Sequence, residues 1–429
     1  MRNGSCIPTG IERLGNAAKI FRAGTHRVAK PEDTLARVLP LAGRMGVTRV
    51  GNLTGLDVLG IPVWMACRPN SRSLAVFQGK GSTLAAAKVS AFMEAAEAYH
   101  AETIEAPLRF ASHAEMRARF HAIDPELLPR PRHATLGAEA RFLWIEGRDL
   151  ESDEPVWAPY EIVSADYASP QPPGSGVFVA TTNGLGAGNH HLEAIAHGLY
   201  EVIERDSITL WRMGGPRARD ARRIDPQSIG AATVRDLLAR FAAAGIRLGL
   251  WDATSDIGVA TVVCLALDDR ASEAGSDPEL GSGCHPDREI ATLRAITEAA
   301  QVRTTFIAGS RDDFDPALFD GARRAERLAL ARDWHGGRPN ADWNAVPHFS
   351  SSDIGTDIAH VMERLRACRL DRTIWVDLTK PGLDLPVVRV IVPGLEGPHQ
   401  ADAQPGHRAH ALRSAEDMRA EMIRGGGPP

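Results

Sequence analysis

Cysteine is scarce in this chain of 429 residues: the five present, Cys6, Cys67, Cys264, Cys284 and Cys368, are dispersed and form no CxxC pair. Neither a disulfide framework nor a zinc knuckle can be built from them. Basic runs are missing too, and the formal net charge is -5, which argues against nucleic acid as the main partner. The start, "MRNGSCIPTGIERLG", has no apolar signal-peptide core, and no uninterrupted apolar stretch is long enough to span a bilayer. The expectation is a cytoplasmic protein that does not engage a membrane. His190, His191 and His197 occur without HExxH spacing, so His197 reads as a buried hydrogen-bonding residue rather than a transition-metal ligand. "NGLGAG" after "VFVATT" does not keep GxGxxG spacing, which removes a dinucleotide loop. What the chain does have is bulk: 44% apolar residues, enough for a large core in one large domain or two closely joined lobes.

It also has a repeat. Three times a glycine is followed fifteen residues on by Glu and eighteen residues on by Glu or Gln: Gly79 with Glu94 and Glu97, Gly186 with Glu201 and Glu204, Gly283 with Glu298 and Gln301. Three residues after the glycine stand Ser82, Asn189 and Pro286, types that begin helices, so each copy is expected to start a helix at one place. The eighth position is always Ala (Ala87, Ala194, Ala291) and the twelfth is small (Ala91, Gly198, Ala295). The eleventh is polar, and at helical spacing it completes three stripes: Ser90/Glu94/Glu97, His197/Glu201/Glu204 and Arg294/Glu298/Gln301. Nearly every other position in these segments is apolar or small, so the helices read as buried. A buried unpaired carboxylate costs several kcal/mol or titrates to neutral, and five of them need cations. Solvated helix faces or arginine pairs are the competing reading, but the local Arg205 and Arg294 pair with only some of the five. An oxygen-only cluster without cysteine suits Mg²⁺ better than zinc.

Residues 1–58 read as mainly helical or irregular, with a helix start at "KPEDT". Strands are expected in "GIPVWMACR", "SLAVFQ", "RFLWIEGRDL", "PVWAPYEIV", "GVFVATT", "IRLGLWDAT", "ATVVCLAL", "TIWVDLT" and "PVVRVIVPGL". Two antiparallel hairpins stand out, within 141–163 and 246–267, and each repeated helix follows a strand, the third after a longer loop, "DDRASEAGSDPELGSGCH". That loop reads as a surface connection. The pattern predicts an α+β fold with antiparallel or mixed sheets rather than a doubly wound parallel sheet. Residues 401–429 read as a polar, flexible tail. Cys284 reads as a small buried structural cysteine rather than a sulfur relay, and Lys80 in "QGKGS" as either a phosphate contact or a solvated loop lysine.

"SAFMEAAEAYHAE", "TTNGLGAGNHHLEAIAHGLYEVIERDSITLW" and "LRAITEAAQVRTTFIAGSRDD", followed by "PVVRVIVPGLE", together resemble the YcaO family of ATP-dependent enzymes that modify peptide backbones. The resemblance covers roughly residues 20–397 and implies a YcaO-like catalytic domain over 59–400, with the three Glu-bearing helices forming an ATP and Mg²⁺ site. By motif, Glu94, Glu97, Glu201, Glu204 and Glu298 would hold Mg²⁺, and Asn189, Glu193, Arg205, Arg294 and Gln301 would line the nucleotide, with Ser90 on the first stripe joining them. "THRVAKPEDT" resembles the family's first nucleotide-binding segment, where Arg27 and Thr34 supply the basic and hydroxyl groups. Arg205, next to Glu204, is expected to act with Glu201 and Glu204 in catalysis by stabilising phosphoryl charge.

Two departures from the family pattern bear on the product. Glu97 is followed by Ala98 where the first acidic motif ordinarily ends Glu-Arg, and the chain ends "IRGGGPP" in place of the Pro-rich run of azoline-forming members. "EAYHAE" and "PEDT" instead resemble members that install backbone thioamides beside a TfuA-type partner. The resemblance therefore implies thioamide formation in a ribosomally made peptide or protein. A thiazoline- or oxazoline-forming cyclodehydratase is the alternative, and an ATP-binding accessory to another sulfur-modifying enzyme is a third. No N-terminal stretch reads as a winged-helix leader-binding domain, so substrate recruitment is expected from a partner. A homodimer rests on the resemblance alone.

Overall fold

The computed structural model describes residues 8–268, 277–316, 320–398 and 403–412. Helices α1 (Thr9–Leu14) and α2 (Pro31–Val38) lead into an antiparallel meander, β1 (Arg49–Asn52), β2 (Val63–Cys67) and β3 (Val76–Lys80), which α3 (Leu84–Glu102) covers. The next strands are β4 (Leu108–Ser112), β5 (Arg141–Asp149), β6 (Pro155–Pro159) and β7 (Leu185–Ala187), with the short α4 (His113–Arg117) after β4. Helix α5 (His191–Met213) follows, then α6 (Gly215–Ala221) and α7 (Ala232–Ala243). A second meander, β8 (Ile246–Asp252), β9 (Thr261–Asp268) and β10 (Glu279–Cys284), is covered by α8 (Arg288–Ala308). Helices α9 (Gly321–Gly336) and α10 (Ile354–Ala367) precede β11 (Ile374–Asp377) and β12 (Val387–Ile391). Those last two strands join the larger sheet, whose order is β4-β5-β11-β12-β7 with β6 paired to β5.

The three sheets share one device. In each, the strand at one edge runs directly into the helix that packs on it: β3 into α3, β7 into α5, β10 into α8. The middle unit borrows its inner strands, β11 and β12, from the far end of the chain. Each edge strand is flat against its helix because of the repeated glycine. A Cβ on Gly79 would stand 1.9 Å from the Ala91 nitrogen and 2.5 Å from the Ala87 oxygen. On Gly186 it would meet the Ala194 oxygen at 2.4 Å, and on Gly283 the Ala291 oxygen at 2.2 Å. The small residues eight and twelve positions after the glycine are thus the helix side of a backbone-to-backbone contact. The helices begin at one place in each copy, one residue later than expected. The N-caps are Thr83, His190 and Asp287, whose side chains accept from Ala86, Leu192 and Glu289.

The units also form a closed ring. α3 packs on β7 of the second unit, α5 on β10 of the third, and α8 on β3 of the first. Apolar clusters fill each layer: Phe77 and Phe92 in the first unit, Val262 and Ile296 in the third. The large sheet has one face in each of two more clusters. Val388 and Val390 pack with Ile195 and Leu199 of α5, while Val387 and Ile391 pack with Phe142 and Phe178 on the opposite face.

Several expectations are corrected. Segment 1–58 contributes a strand, β1, to the first sheet and is not merely helical or irregular. "GVFVATT" is not a strand: the Glu161 carboxylate accepts from the backbone N–H of Gly176, Val177 and Phe178 at 2.6, 3.2 and 3.2 Å, which holds the segment as a turn. The loop before the third helix contains β10, so α8 follows its strand as directly as the other two; residues 269–276 of that loop lie outside the described residues. Part of the tail is packed: Ala403 bridges to Pro131, and Arg408 pairs with Asp206 at 2.9 Å; residues 413–429 lie outside the described residues.

If the glycine contact sets the helix against its sheet, Gly283→Ala destabilises the fold by about 1–3 kcal/mol, the scale of overpacking a close contact. Gly43→Ala, with nothing within 4 Å of its added carbon, serves as the control and stays near neutral. Urea unfolding of the two variants decides; equal midpoints would show that the contact is not what the glycine serves.

Candidate functional site

The last glutamate or glutamine of each stripe bonds to the edge strand of the next unit. Glu97 Oε1 accepts from the Ala187 N–H at 2.7 Å, one residue after Gly186. Glu204 Oε1 accepts from the Ser282 hydroxyl at 2.8 Å, one residue before Gly283. Gln301 Nε2 donates to the Gln78 carbonyl at 2.9 Å, one residue before Gly79. This explains why the third copy carries Gln: the group it meets is a carbonyl, which a carboxylate cannot satisfy, whereas the other two meet donors. The ring closure brings Glu94, Glu97, Glu201, Glu204 and Glu298 to its centre. Glu204 is 3% exposed, while the other four are half-buried and line the cleft rather than the deep core.

Two cations stand within ion-pair distance of these acids. Lys80 Nζ donates to Glu298 Oε2 at 2.9 Å and to Gln301 Oε1 at 3.1 Å. Arg205 stands 3.3 Å from Glu204 and 3.9 Å from Glu201. The remainder are undercompensated. Burial pushes Glu94 up to about 7 against the pull of Lys80. Burial likewise pushes Glu201 up to about 7 against Arg205. Glu97 rises well above the carboxylate range through burial, then through its neighbours Glu94 and Glu201. Only Glu298 is held down, to about 2, because Lys80 and Arg205 outweigh the burial that opposes them. Among the described residues no three His, Cys, Asp or Glu side chains converge as a ready metal-binding group. Lys80 and Arg205 take up carboxylate oxygens that such a group would use.

A second network lies at the start of α5. Glu193, 3% exposed, accepts from Val28 N–H at 2.9 Å and from the Asn189 N–H and side-chain amide at 3.3 Å. Arg27 Nε lies 3.6 Å from the same carboxylate, and Thr34 donates to Asn189 Oδ1 at 3.1 Å. The structure thus brings Arg27, Thr34, Asn189 and Glu193 together from two distant segments. A narrow cavity beside them is lined by His197 and Arg294. Burial, then Arg294, keeps His197 neutral, and the Arg294 Nε is buried without a hydrogen-bond partner among the described residues. The two networks share α5 and α8, which carry His197/Glu201/Glu204 and Arg294/Glu298/Gln301 on continuous stripes. Ser90 is half-buried one turn before Glu94. Cys284 is 1% exposed, and burial drives its thiol pKa upward, as suits a structural cysteine. Sequence reasoning missed Gln78 and Ser282, though both precede a repeated glycine and are polar residues in a strand. It left Lys80 undecided.

Three edge-strand and helix units closed around an acidic cleft define the class of protein. The family described as YcaO cyclodehydratase, ATP- and Mg²⁺-binding, matches residues 78–396, and the chain belongs to it. An uncharacterized protein from the tfuA 3' region of Rhizobium leguminosarum bv. trifolii is 39% identical over 397 residues, 90% of this chain and 94% of that protein. An uncharacterized protein of Methanothermobacter thermautotrophicus is 37% identical over 86% of this chain and 95% of its own length. The structure of YcaO from Methanopyrus kandleri, bound with AMPPCP and Mg²⁺, superposes with a TM-score of 0.70 at 26% identity, covering 89% of this chain and 95% of that one. A heterocyclase in complex with substrate and cofactor shares the fold at a TM-score of 0.71 and 24% identity over 91% of this chain; the match spans 55% of that longer chain. The antiparallel α+β architecture expected from the sequence is therefore that of YcaO structures. Among the described residues no helix is long and apolar enough to cross a membrane.

The charge imbalance has a measurable sign. Glu97 keeps a proton in the folded state that the unfolded chain has already released, so it lowers stability as pH climbs from the unfolded toward the folded pKa. Glu298, depressed when folded, contributes stability above its unfolded pKa, and that contribution is lost as pH falls through the folded value. In chelator at pH 8, Glu97→Gln is expected to melt a few degrees above wild type and Glu298→Gln a few degrees below. Shifts of the same sign in both would contradict the electrostatic account.

Proposed function

We propose that this protein uses ATP to replace the oxygen of a peptide backbone amide by sulfur, in a ribosomally synthesised peptide or protein, with a TfuA-type partner handling the sulfur. The observation that carries the choice of product is the 39% identity, across 90% of the chain, to a protein of the tfuA 3' region. The resemblance of "EAYHAE" and "PEDT" to members that install backbone thioamides supports it.

The amide sets the chemical problem. Hydrosulfide adding to its carbonyl carbon makes an oxyanion that reverts unless the oxygen becomes a leaving group. The oxyanion attacks the γ-phosphorus of ATP, an O–P bond forms, the bond to the bridging oxygen breaks and ADP departs. The C–O bond then breaks with phosphate as leaving group while the S–H proton is lost, giving C=S. Oxygen leaves in phosphate, and no oxidant or reductant is needed.

Such a transfer demands charge neutralisation and alignment more than covalent help. The oxygen-only donor set and the raised pKa values of Glu94, Glu97 and Glu201 fit a hard divalent cation. In this reading these three, with Glu204 and Glu298, hold Mg²⁺, which when bound neutralises phosphate oxygens. Lys80 and Arg205 add positive charge beside Glu298 and Glu204. Arg205 stabilises charge on the transferring phosphoryl group, while Arg27, Thr34, Asn189 and Glu193 position the nucleotide, with Ser90, Arg294 and Gln301 along the stripes. Cyclodehydration to an azoline is the second reading, favoured by the cyclodehydratase description of the family.

Intact-mass analysis of a candidate peptide with the protein, ATP, Mg²⁺, sulfide and a TfuA-type partner separates the two. A gain of about 16 Da that requires ATP and sulfide supports thioamidation, whereas a loss of about 18 Da without sulfide assigns cyclodehydration through the same activation. Glu201→Gln or Glu204→Gln is expected to cut ATP turnover by more than about tenfold, the least a change in a metal's surroundings tends to cost. Both variants are expected to stay folded, shown by a cooperative thermal transition. Full turnover in both variants sinks the metal assignment.

A further inference from the structure

Strand β12 reads Val387-Val388-Arg389-Val390-Ile391, and every one of these residues is buried. Arg389 shares a face with Val387 and Ile391, which pack in the apolar cluster of Phe142 and Phe178, and is itself 2% exposed. Placing a guanidinium there is costly unless its donors are met. One is met: an Nη2 hydrogen bond of 2.5 Å to the Thr181 carbonyl. The Nη1 is buried and has no partner among the described residues. Across the same turn stands a complementary orphan. Asn183 Oδ1 is buried without a hydrogen-bond partner among the described residues, and the Asn183 N–H donates to Thr181 Oγ1 at 3.2 Å. The turn runs straight into β7, where Leu185 is the register partner of Arg389, and on to α5 with its acidic stripe. Arg389 is close enough to Glu201 and Tyr167 for both to act on its charge. The "TTNG" turn, which does not bind a dinucleotide by its spacing, therefore has beside it a buried donor and a buried acceptor, both unsatisfied among the described residues, within electrostatic reach of Glu201.

We infer that Arg389 and Asn183 hold the target amide of the peptide substrate, Arg389 Nη1 donating to its carbonyl oxygen and Asn183 Oδ1 accepting from its N–H. A backbone amide presents one acceptor and one donor, the complement of these two groups. Anions such as phosphate would satisfy Arg389 but leave Asn183 facing another acceptor. The arrangement also puts a fixed positive charge where the oxyanion develops before its transfer to phosphorus, the place where preorganised donors act most strongly. This assignment rests on the backbone-modifying reading given above, since it names the substrate side of that same cleft.

The test uses the full chain in two arms. Crystals grown with Mg²⁺ and AMPPCP are soaked in N-methylacetamide, the smallest secondary amide that mimics a peptide bond. Amide density bridging Arg389 and Asn183 supports the inference; its absence there, or an Arg389 bound to a nucleotide phosphate, overturns it. In the second arm Arg389→Met keeps the length of the side chain and suits an apolar strand, so it is expected to melt at or above wild type. It should bind AMPPCP within about twofold of wild type by calorimetry, yet form modified peptide at least about tenfold more slowly, the scale of one charge-assisted hydrogen bond. Arg389→Lys restores part of the rate and Asn183→Leu loses it. A methionine variant that modifies peptide at the wild-type rate, or loses nucleotide affinity in proportion, overturns the inference. A wild-type protein that modifies no peptide at all counts against the proposed function, and the amide soak then decides the site by itself.

Discussion

The contact of strand backbone with helix backbone at Gly79, Gly186 and Gly283 is what the rest of the molecule depends on. A Cβ at any of the three would come within 2.4 Å of a helix backbone atom, so each helix sits closer to its edge strand than a side chain permits. Closeness fixes rotation as well as distance, because positions eight and twelve after the glycine must face the strand. With rotation set, positions fifteen and eighteen face the ring's centre in every copy. The ring then closes by polar bonds from position eighteen to the next strand, through Glu97, Glu204 and Gln301. Three separate stretches of chain are thereby held in one geometry by the same contact.

That geometry is electrostatically unfavourable by itself. Of the five carboxylates at the ring's centre, Lys80 and Arg205 are within ion-pair distance of Glu298, Glu204 and Glu201, and burial still raises Glu94, Glu97 and Glu201. Elsewhere a buried carboxylate is fully met: Glu102 takes Arg68 at 2.8 Å together with the Ser71 and Ser73 hydroxyls, and these partners hold its carboxyl below the usual range although burial opposes them. The contrast is informative. A fold able to meet Glu102 in this way leaves Glu94, Glu97 and Glu201 undercompensated at a cost to its own stability, as the proposed cation and phosphate site would require.

Much of this was legible in the sequence, and the failures have physical causes. The repeat announced the three helices, their common start and the five acids, because a backbone contact constrains residue size at fixed spacing. β10 was missed for the same reason the repeat works: "ELGSGC" is glycine-rich where α8 lies against it, so it has few of the β-branched residues by which strands are recognised. β7 is three residues long and β1 only four, too short for an alternating pattern to register. "GVFVATT" has strand composition, but a single carboxylate, Glu161, takes its backbone donors and makes it a turn. The pairing of Arg27 and Thr34 with Asn189 and Glu193 spans some 160 residues and could be named only through the family resemblance. Lys80 and Ser282 were undervalued because their partners belong to other units of the ring.

The source of sulfur follows from what the cleft encloses. Cys284 lies one residue after the third glycine, close to the acids, yet it is 1% exposed and burial raises its thiol pKa. A thiol must ionise to attack or to carry sulfur, and must be reached to be reloaded. Cys284 meets neither condition, and the edge strand that contains it cannot swing out without breaking the Gly283 contact that positions Glu298 and Gln301. Relay through this residue would therefore dismantle the site it serves. If the product is a thioamide, Cys284 does not carry its sulfur, which fits delivery as free sulfide or from a partner and leaves the third strand-helix unit to hold its acids in place.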